Sequence, residues 1–309
     1  MPEIRFSIVI ACYNQEAFIK ETVESALSQK HPNKEIIVVD DCSSDGTADI
    51  LRSFGESITM TTLPQNSGVY TSRNHGASLA KGEYLVFLDG DDVLMPWSLD
   101  AYDQLVTVRS PKIILGRAIL FNGKVPEVNK SEIPKNIQFV EYEYFLSKDR
   151  SNLYNTSALV VNRSHFWSAG GWSNGIFYQD IQDLLSKLGA SGKMIFVLDP
   201  GTVWYRMHST NAVKNVLPFV EGIRVLLKNA SLGKYPGGLK CKIERSAWYG
   251  GLAVYWAKEA IRIGFYWKGF KLLVSCWWMI LFAVMKRGMS FVLGRKPIEQ
   301  LPFKYITFL

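Results

Sequence analysis

The sequence predicts an α/β fold: a mostly parallel, Rossmann-like sheet followed by a helical C-terminal extension. Three observations carry that reading. Through the first hundred residues, short apolar β-branched runs alternate with stretches of helical spacing, the signature of repeated βαβ units. Acidic residues gather where those runs stop, as in "YLVFLDGDDVLMP" at 84–96. Charge also divides along the chain: residues 1–200 hold 18 Lys and Arg against 24 Asp and Glu, a balance of −6, whereas 201–309 hold 17 against 4, a balance of +13.

The elements follow in order. "FSIVIA" (6–11) reads as a buried strand, and "EAFIKETVESALSQ" (16–29) sets Phe18, Val23, Ala26 and Leu27 on one helical face. "EIIVVD" (35–40) is the second strand, "DGTADILRSF" a helix, "ITMTTL" the third strand, "VYTSRNHGASLA" a helix and "YLVFLD" (84–89) the fourth strand. Such runs suit a parallel sheet with both faces covered by helices. A helix over 96–108 leads into "KIILGRAILF", the polar, Pro-containing stretch 122–137 reads as a long loop, and "TSALVVN" and "QDIQDLLSKL" read as strand and helix. From 215 onward the chain reads as helices only, with Gly264 separating amphipathic helices at about 241–263 and 265–287.

Bulk properties narrow the class. A chain of 309 residues can bury a sizeable core. The basic tail carries Trp248, Trp256, Trp267, Trp277 and Trp278, a mixture that suits a lipid surface better than nucleic acid; packing against the rest of the fold or a second subunit is the competing reading. Its longest apolar stretch, 272–285, has 14 residues, about 21 Å as a helix against roughly 30 Å of bilayer hydrocarbon, too short to span comfortably. Cys12, Cys42, Cys241 and Cys276 show no paired metal spacing, and "MPEIRFSIVIACYN" has no signal-peptide pattern, so a reducing cytoplasm is expected.

In open parallel sheets ligands sit beyond the carboxyl ends of the strands. The residues there are Ala11, Cys12, Tyr13 and Asn14 after the first run, Asp40, Asp41 and Ser43 after the second, and Asp89, Asp91 and Asp92 after the fourth. Two carboxylates about 4 Å apart repel by roughly 4 kcal/mol at an effective dielectric of 20, so such a cluster calls for a counter-cation. Oxygen ligation favours Mg²⁺ or Mn²⁺ over zinc, the remaining ligands arriving with a nucleotide diphosphate. A solvated Asp–Gly turn explains "DGDD" alone about as well. It does not explain the neighbouring "VVDDCSSDGT", nor Arg73 and Asn74 on the helix that feeds the fourth strand.

Taken in order, "SIVIACYNQEAFIKETVESALSQ", "EIIVVDDCSSDGT", "NSGVYTSRNHGASLAKGEYLVFLDGDD", "SAGGW", "YQD" and "RMHS" resemble the inverting glycosyltransferases of family 2 over about two-thirds of the chain. The resemblance implies the A-type glycosyltransferase fold, with a nucleotide-sugar-binding half at 1–100, an acceptor-binding half carrying the catalytic base at 101–215, and the basic, Trp-rich extension at 216–309. It implies that Ala11, Tyr13 and Asp40 line the nucleobase and ribose pocket, Asp40 accepting from a uracil-type imide, with Asn14 and Asp41 beside them. "DGDD" resembles the DxD motif, in which Asp89 touches ribose or diphosphate, Asp91 binds the metal and Asp92 is a second ligand. Arg73 resembles the nucleotide-contacting residue of the third helix, and His208 the late histidine that completes the metal shell or meets the diphosphate.

Inverting transfer needs a carboxylate to take the acceptor hydroxyl proton. "GGWSNGIFYQDIQDLL" resembles the family's turn and base helix but has Gln179 where a Glu is usual, which leaves Asp180 as the expected base. Asp183, one turn later, is the runner-up and reads more simply as a helix-surface charge. Trp172 is a candidate platform for the acceptor sugar, since aromatic faces stack on sugar rings, or else core. The function implied is metal-dependent transfer, with Mn²⁺ or Mg²⁺, from a nucleotide-diphosphate sugar, UDP favoured, to a glycan or lipid-linked acceptor of a bacterial-type surface polysaccharide. The setting would be the cytoplasmic face of the membrane, with peripheral association through 241–287. A nucleotidyltransferase would need a Gly-rich basic loop after the first strand, which "ACYNQEAF" lacks, and no G-x-G-x-x-G follows a strand. A non-catalytic module of the same fold is the other alternative.

Overall fold

The computed structural model describes residues 5–128, 134–147, 155–176, 178–209, 211, 216–292 and 304–307. Residues 129–133 of the expected loop and 293–303 of the tail lie outside the described residues. The first half alternates as expected: β1 (Phe6–Cys12), α1 (Ile19–Leu27), β2 (Lys34–Asp40), α2 (Thr47–Arg52), β3 (Thr59–Thr62), α3 (Val69–Leu79) and β4 (Tyr84–Asp89). β5 (Val93–Leu94), α4 (Ser98–Arg109), β6 (Ile113–Leu115) and β7 (Ala118–Phe121) follow. Then come β8 (Asn136–Tyr142), β9 (Leu159–Asn162), α5 (Arg163–Ser168), α6 (Asp180–Leu188), β10 (Met194–Asp199) and β11 (Val203–Arg206). α7 (Val216–Ser231), α8 (Gly238–Arg262), α9 (Tyr266–Ser275), α10 (Trp277–Val292) and β12 (Lys304–Thr307) complete the described chain.

Nine strands form one sheet in the order β12-β8-β10-β6-β9-β4-β1-β2-β3. The pairs β4–β1, β1–β2 and β2–β3 are parallel, so their carboxyl ends share one edge, as a βαβ rhythm dictates. β9 enters antiparallel between β4 and β6, and β8 and β12 are antiparallel at the far edge. A second sheet, β5-β11-β7, lies just past the "DGDD" turn, where "KIILGRAILF" breaks at Gly116–Arg117 into β6 and β7.

Side-chain alternation splits the core in two. Phe6, Ile8 and Ile10 of β1 and Tyr84, Val86 and Leu88 of β4 pack toward α1, α2 and α4. Val9 of β1 and Leu85 and Phe87 of β4 pack toward α3, α5 and α6, as the period of two requires. The second core runs on without interruption into α7–α10 through Ile223, Leu226, Tyr249, Leu272 and Met279, all buried. The helix expected over 265–287 is two helices, broken at Cys276. α8 receives both along a stripe of small residues, Gly250, Ala253, Ala257 and Ala260, which lets the axes approach closely. A Cβ on Gly250 would stand 2.3 Å from the Met279 carbonyl oxygen.

Candidate active site

The site is built from the carboxyl ends of β1, β2 and β4, the start of α6 and the segment after β11. Asn14, in the left-handed region at φ 52°, joins the first two strand ends: its Oδ1 accepts from the Ser44 amide at 2.8 Å, and its own N–H donates to Ser43 Oγ at 2.9 Å. Ser43 in turn donates to Asp40 Oδ1 at 2.5 Å. Asp40 is fully buried, yet its Oδ2 has no hydrogen-bond partner among the described residues. A buried carboxylate oxygen left open in this way calls for an explanation, and a ligand donor is one. Ala11 is buried below this edge, and Tyr13 is 43% exposed above it.

Asp41 has a different task. Its two oxygens accept from the backbone N–H groups of Ser67 and Gly68 at 2.8 Å each, which fixes the start of α3. Carboxylates belong at a helix N-terminus, where free amides converge. Both its oxygens are therefore taken by backbone, and Asp41 orders the site's wall rather than pointing an open atom into it.

α3 presents Arg73 to two acids at once. Its guanidinium donates to Asp89 Oδ1 at 2.6 Å and to Asp180 Oδ2, and it lies 4.9 Å over the Trp172 ring. Burial opposes the charge on Arg73, but Asp89 and Asp180 outweigh it and hold its pKa above the ordinary value. Asn74, the next residue, pins the Gly-Gly-Trp turn by donating to the Trp172 carbonyl at 2.8 Å and accepting from its N–H at 2.9 Å. One helical turn thus positions both the candidate base and the loop before it.

The acids of "DGDD" divide by their partners. Gly90 passes so close to β1 that a Cβ would meet Cys12 Cβ at 2.7 Å, which brings Asp89 and Asp91 against that strand end. Asp91 Oδ2 meets His208 Nε2 at 2.9 Å, and the imidazole lies over Phe18 at 4.7 Å between centroids. Asp92 corrects the expectation of a second metal ligand. It is fully buried, with Oδ2 at 2.5 Å from Ser157 Oγ and Oδ1 accepting from the Arg206 N–H at 3.0 Å. Burial first, then Asp91 and Asp89, push its carboxyl well above the usual range. Burial also raises Asp89, against the pull of Arg73.

Two further expectations are corrected. Trp172 is 2% exposed and packs edge-on to Phe87 at 5.2 Å, so it offers no free face to a sugar; it is the floor under Arg73. Asp183 is no surface charge. It is 2% exposed, accepts from Tyr235 OH at 2.6 Å and sits 3.3 Å from Lys187 Nζ. Asp180, by contrast, opens α6 with Oδ1 free of hydrogen bonds among the described residues. Gln179 beside it is wholly buried, with neither amide atom partnered among the described residues.

Sequence reading missed Arg206 and Ser157. Arg206 donates to the Asp91 carbonyl at 2.9 Å and the Gly123 carbonyl at 2.8 Å, pairs with Glu21, and lies between the rings of Phe18 and Phe121. It clamps the "DGDD" turn to the second sheet. Its only signal was a place two residues before His208.

Residues 7–164, just over half the chain, match the family model described as Glycosyl transferase family 2. Over 101 residues the chain is 42% identical to the putative teichuronic acid biosynthesis glycosyltransferase TuaG of Bacillus subtilis, covering 32% of this chain and 39% of that protein. Over 187 residues it is 30% identical to the poly-beta-1,6-N-acetyl-D-glucosamine synthase of Staphylococcus epidermidis, covering 57% and 43%. The chain thus matches well under two-thirds of either relative's length. Among solved structures, S. aureus TarS 1–349 in complex with UDP-GlcNAc superposes with a TM-score of 0.63 at 18% identity, covering 81% of this chain and 72% of that one. The mannosyltransferase PcManGT from Pyrobaculum calidifontis, in complex with GDP-Man and Mn²⁺, superposes with a TM-score of 0.53 at 15% identity, covering 94% and 88%. The strand-end acids, the arginine between them and the matched segment lead to one conclusion: this chain belongs to glycosyl transferase family 2.

Proposed function

We propose that this chain is an inverting glycosyltransferase that moves a sugar from a nucleotide diphosphate, UDP favoured, to a glycan or lipid-linked acceptor in the assembly of a bacterial-type surface polysaccharide. The observation that carries the reading is Arg73, which joins the donor-side acid Asp89 to Asp180 across the cleft. A single cation therefore sets the distance between donor and base. The relatives named for teichuronic acid and poly-N-acetylglucosamine synthesis support the product class. The UDP-GlcNAc held by TarS supports the donor.

In this mechanism Asp40 Oδ2 accepts from the base of the donor, and Arg73 and Asp89 hold its ribose and diphosphate. Asp180 Oδ1 takes the acceptor hydroxyl proton as the acceptor oxygen bonds to the anomeric carbon and the sugar–phosphate bond breaks, its electron pair leaving with the diphosphate. Asp91 and His208 fit a divalent ion: one carboxylate oxygen and one imidazole nitrogen converge, and no cluster of three protein ligands closes the sphere among the described residues. Donor phosphates would supply further ligands, and Mn²⁺ or Mg²⁺ held there would neutralise charge on the leaving diphosphate. A largely apolar groove lined by Gly175, Tyr178, Pro218, Glu221, Gly222 and Val225 opens next to the start of α6 and is the proposed acceptor side. The division at 1–100, 101–215 and 216–309 is kept as a functional one, with sugar transfer at the inner face of the membrane.

The test is calorimetric titration of UDP, GDP and dTDP with and without Mn²⁺, followed by a donor screen for nucleotide release. UDP affinity that rises with Mn²⁺ in the parent and not in Asp91→Ala supports the reading. Affinity indifferent to both overturns the metal assignment, and absence of any nucleotide binding overturns the function.

A further inference from the structure

We infer that α9 and α10 form a bent platform that seats this chain in the interface of an anionic bilayer leaflet without crossing it. The inference names the surface and lipid chemistry for the membrane setting proposed above, but needs no sugar transfer to be true. Two apolar stripes run along these helices. Gly269, Leu272, Cys276, Met279 and Ala283 are buried against α8. On the opposite side Trp267, Phe270, Val274, Trp277, Leu281 and Val284 are 52–72% exposed. Their spacing of three and four residues continues in register through the break at Cys276. A surface helix that has buried one apolar face ordinarily turns a polar face outward; this pair turns out a second apolar one, larger than scattered exposed residues account for.

Charge selects the occupant. Between Ala260 and Pro297 the sequence has no acid and carries Arg262, Lys268, Lys271, Lys286, Arg287, Arg295 and Lys296; Arg262 is paired with Glu259, whereas Lys268 and Lys271 are exposed beside the aromatic stripe. A basic rim around exposed Trp and Phe matches acyl chains below anionic headgroups. A second copy of the chain fits worse, since a two-fold contact would bring this rim against itself with no acid to pair. Among the described residues no single helix is long and apolar enough to cross a membrane, and α9 and α10 bend by 71° at their junction. Together the two helices have the length and composition of a bent or re-entrant span; the basic residues beside the exposed stripe favour lying in the interface, and crossing is the alternative that the test below separates.

The test uses the full chain with vesicles of phosphatidylcholine alone and of an equimolar mixture of phosphatidylcholine and phosphatidylglycerol, read by co-sedimentation and tryptophan emission. Expected are pelleting with the anionic vesicles, a blue shift, and loss of binding as salt rises. Lys268→Glu with Lys271→Glu lowers partitioning by roughly fivefold per lysine or more, and Trp267→Glu with Trp277→Glu abolishes the blue shift. All four positions are exposed, and an unchanged melting temperature shows that the variants fold. Equal binding to both vesicle types, or to neither, overturns the inference. So does a concentration-dependent dimer dispersed by the same substitutions, which makes the face a self-interface, and so does protection from protease with resistance to alkaline wash, which makes the pair a span. Nucleotide binding is scored separately, so either proposal can fail while the other stands.

Discussion

Two buried polar regions, the strand-end cluster and the seam between α6 and α8, handle their charges in opposite ways. At the strand ends, among the described residues, Asp40 leaves a buried oxygen without a hydrogen-bond partner, Asp180 leaves Oδ1 free of hydrogen bonds, and the Asp91 carboxylate meets His208. In the seam the groups close on each other: Tyr235 donates to Asp183, Lys187 stands beside the same carboxylate, Ser186 Oγ and Tyr249 OH are 2.5 Å apart, and Arg245 donates to the Ser186 and Pro236 carbonyls. Burying unpaired polar atoms is costly. The seam answers its open carboxylate oxygen, Asp183 Oδ2, with the Lys187 ammonium at 3.3 Å, whereas Asp40 Oδ2 has no hydrogen-bond partner among the described residues. The seam also fastens the candidate base helix to the C-terminal helices, so the two regions are mechanically joined through α6.

That contrast is broken or sharpened by substitution. The largest effect is expected for Asp180→Asn: transfer falls by about 10²–10⁴ while donor affinity, measured by titration, stays. A fully active Asp180→Asn enzyme would make Asp180 a mere partner of Arg73. Next, Asp91→Ala removes the metal-dependent part of UDP affinity, about tenfold or more, whereas Asp92→Asn leaves it intact, because Asp92 already spends both oxygens on Ser157 and Arg206.

In the seam, Asp183→Ala strands the Tyr235 hydroxyl and Lys187 and costs about 3 kcal/mol of stability, with Tyr235→Phe nearer 1 kcal/mol. Chemical denaturation reads both, and donor affinity should hold in each. A seam variant that loses UDP binding would show that the two regions are not separable. The smallest effect is that of Asp92→Asn on stability without metal, under about 1 kcal/mol. Its sign depends on pH. A carboxyl raised in the folded state stabilises fully below its unfolded value of about 4 and loses that contribution as pH rises through the folded value. The amide variant cannot ionise, so it should gain on the parent from acid toward neutral pH.

How legible this was depended on whether a feature was local. β1, β2 and β4 could be read because strands buried on both faces are continuous apolar runs, and their shared edge then follows from βαβ handedness. β10 is an equally apolar run, "MIFVLD", but its place between β8 and β6 is decided by partners far along the chain. β5, β7 and β11 have only two to four residues each, too few for a period to register. The break at Cys276 has neither Gly nor Pro to announce it. In the site, Asp40 and Arg73 were readable as residue types at strand ends, but Asp41 and Asp92 were not distinguishable from Asp40 and Asp91. What separates them is their partners, the Ser67 and Gly68 amides for Asp41 and Ser157 and Arg206 for Asp92, which other segments of the chain supply.

β12 bears on how the chain should be handled. Its four residues pair antiparallel with β8 at the border of the large sheet, and Lys304 pairs with Glu141, so the polypeptide comes home after its helical detour. A fusion or deletion that displaces 304–307 would uncover the hydrogen-bonding rim of β8, a template on which other copies could add as strands. Loss of solubility would follow before any loss of chemistry, and an expression failure of that kind should not be mistaken for a damaged site.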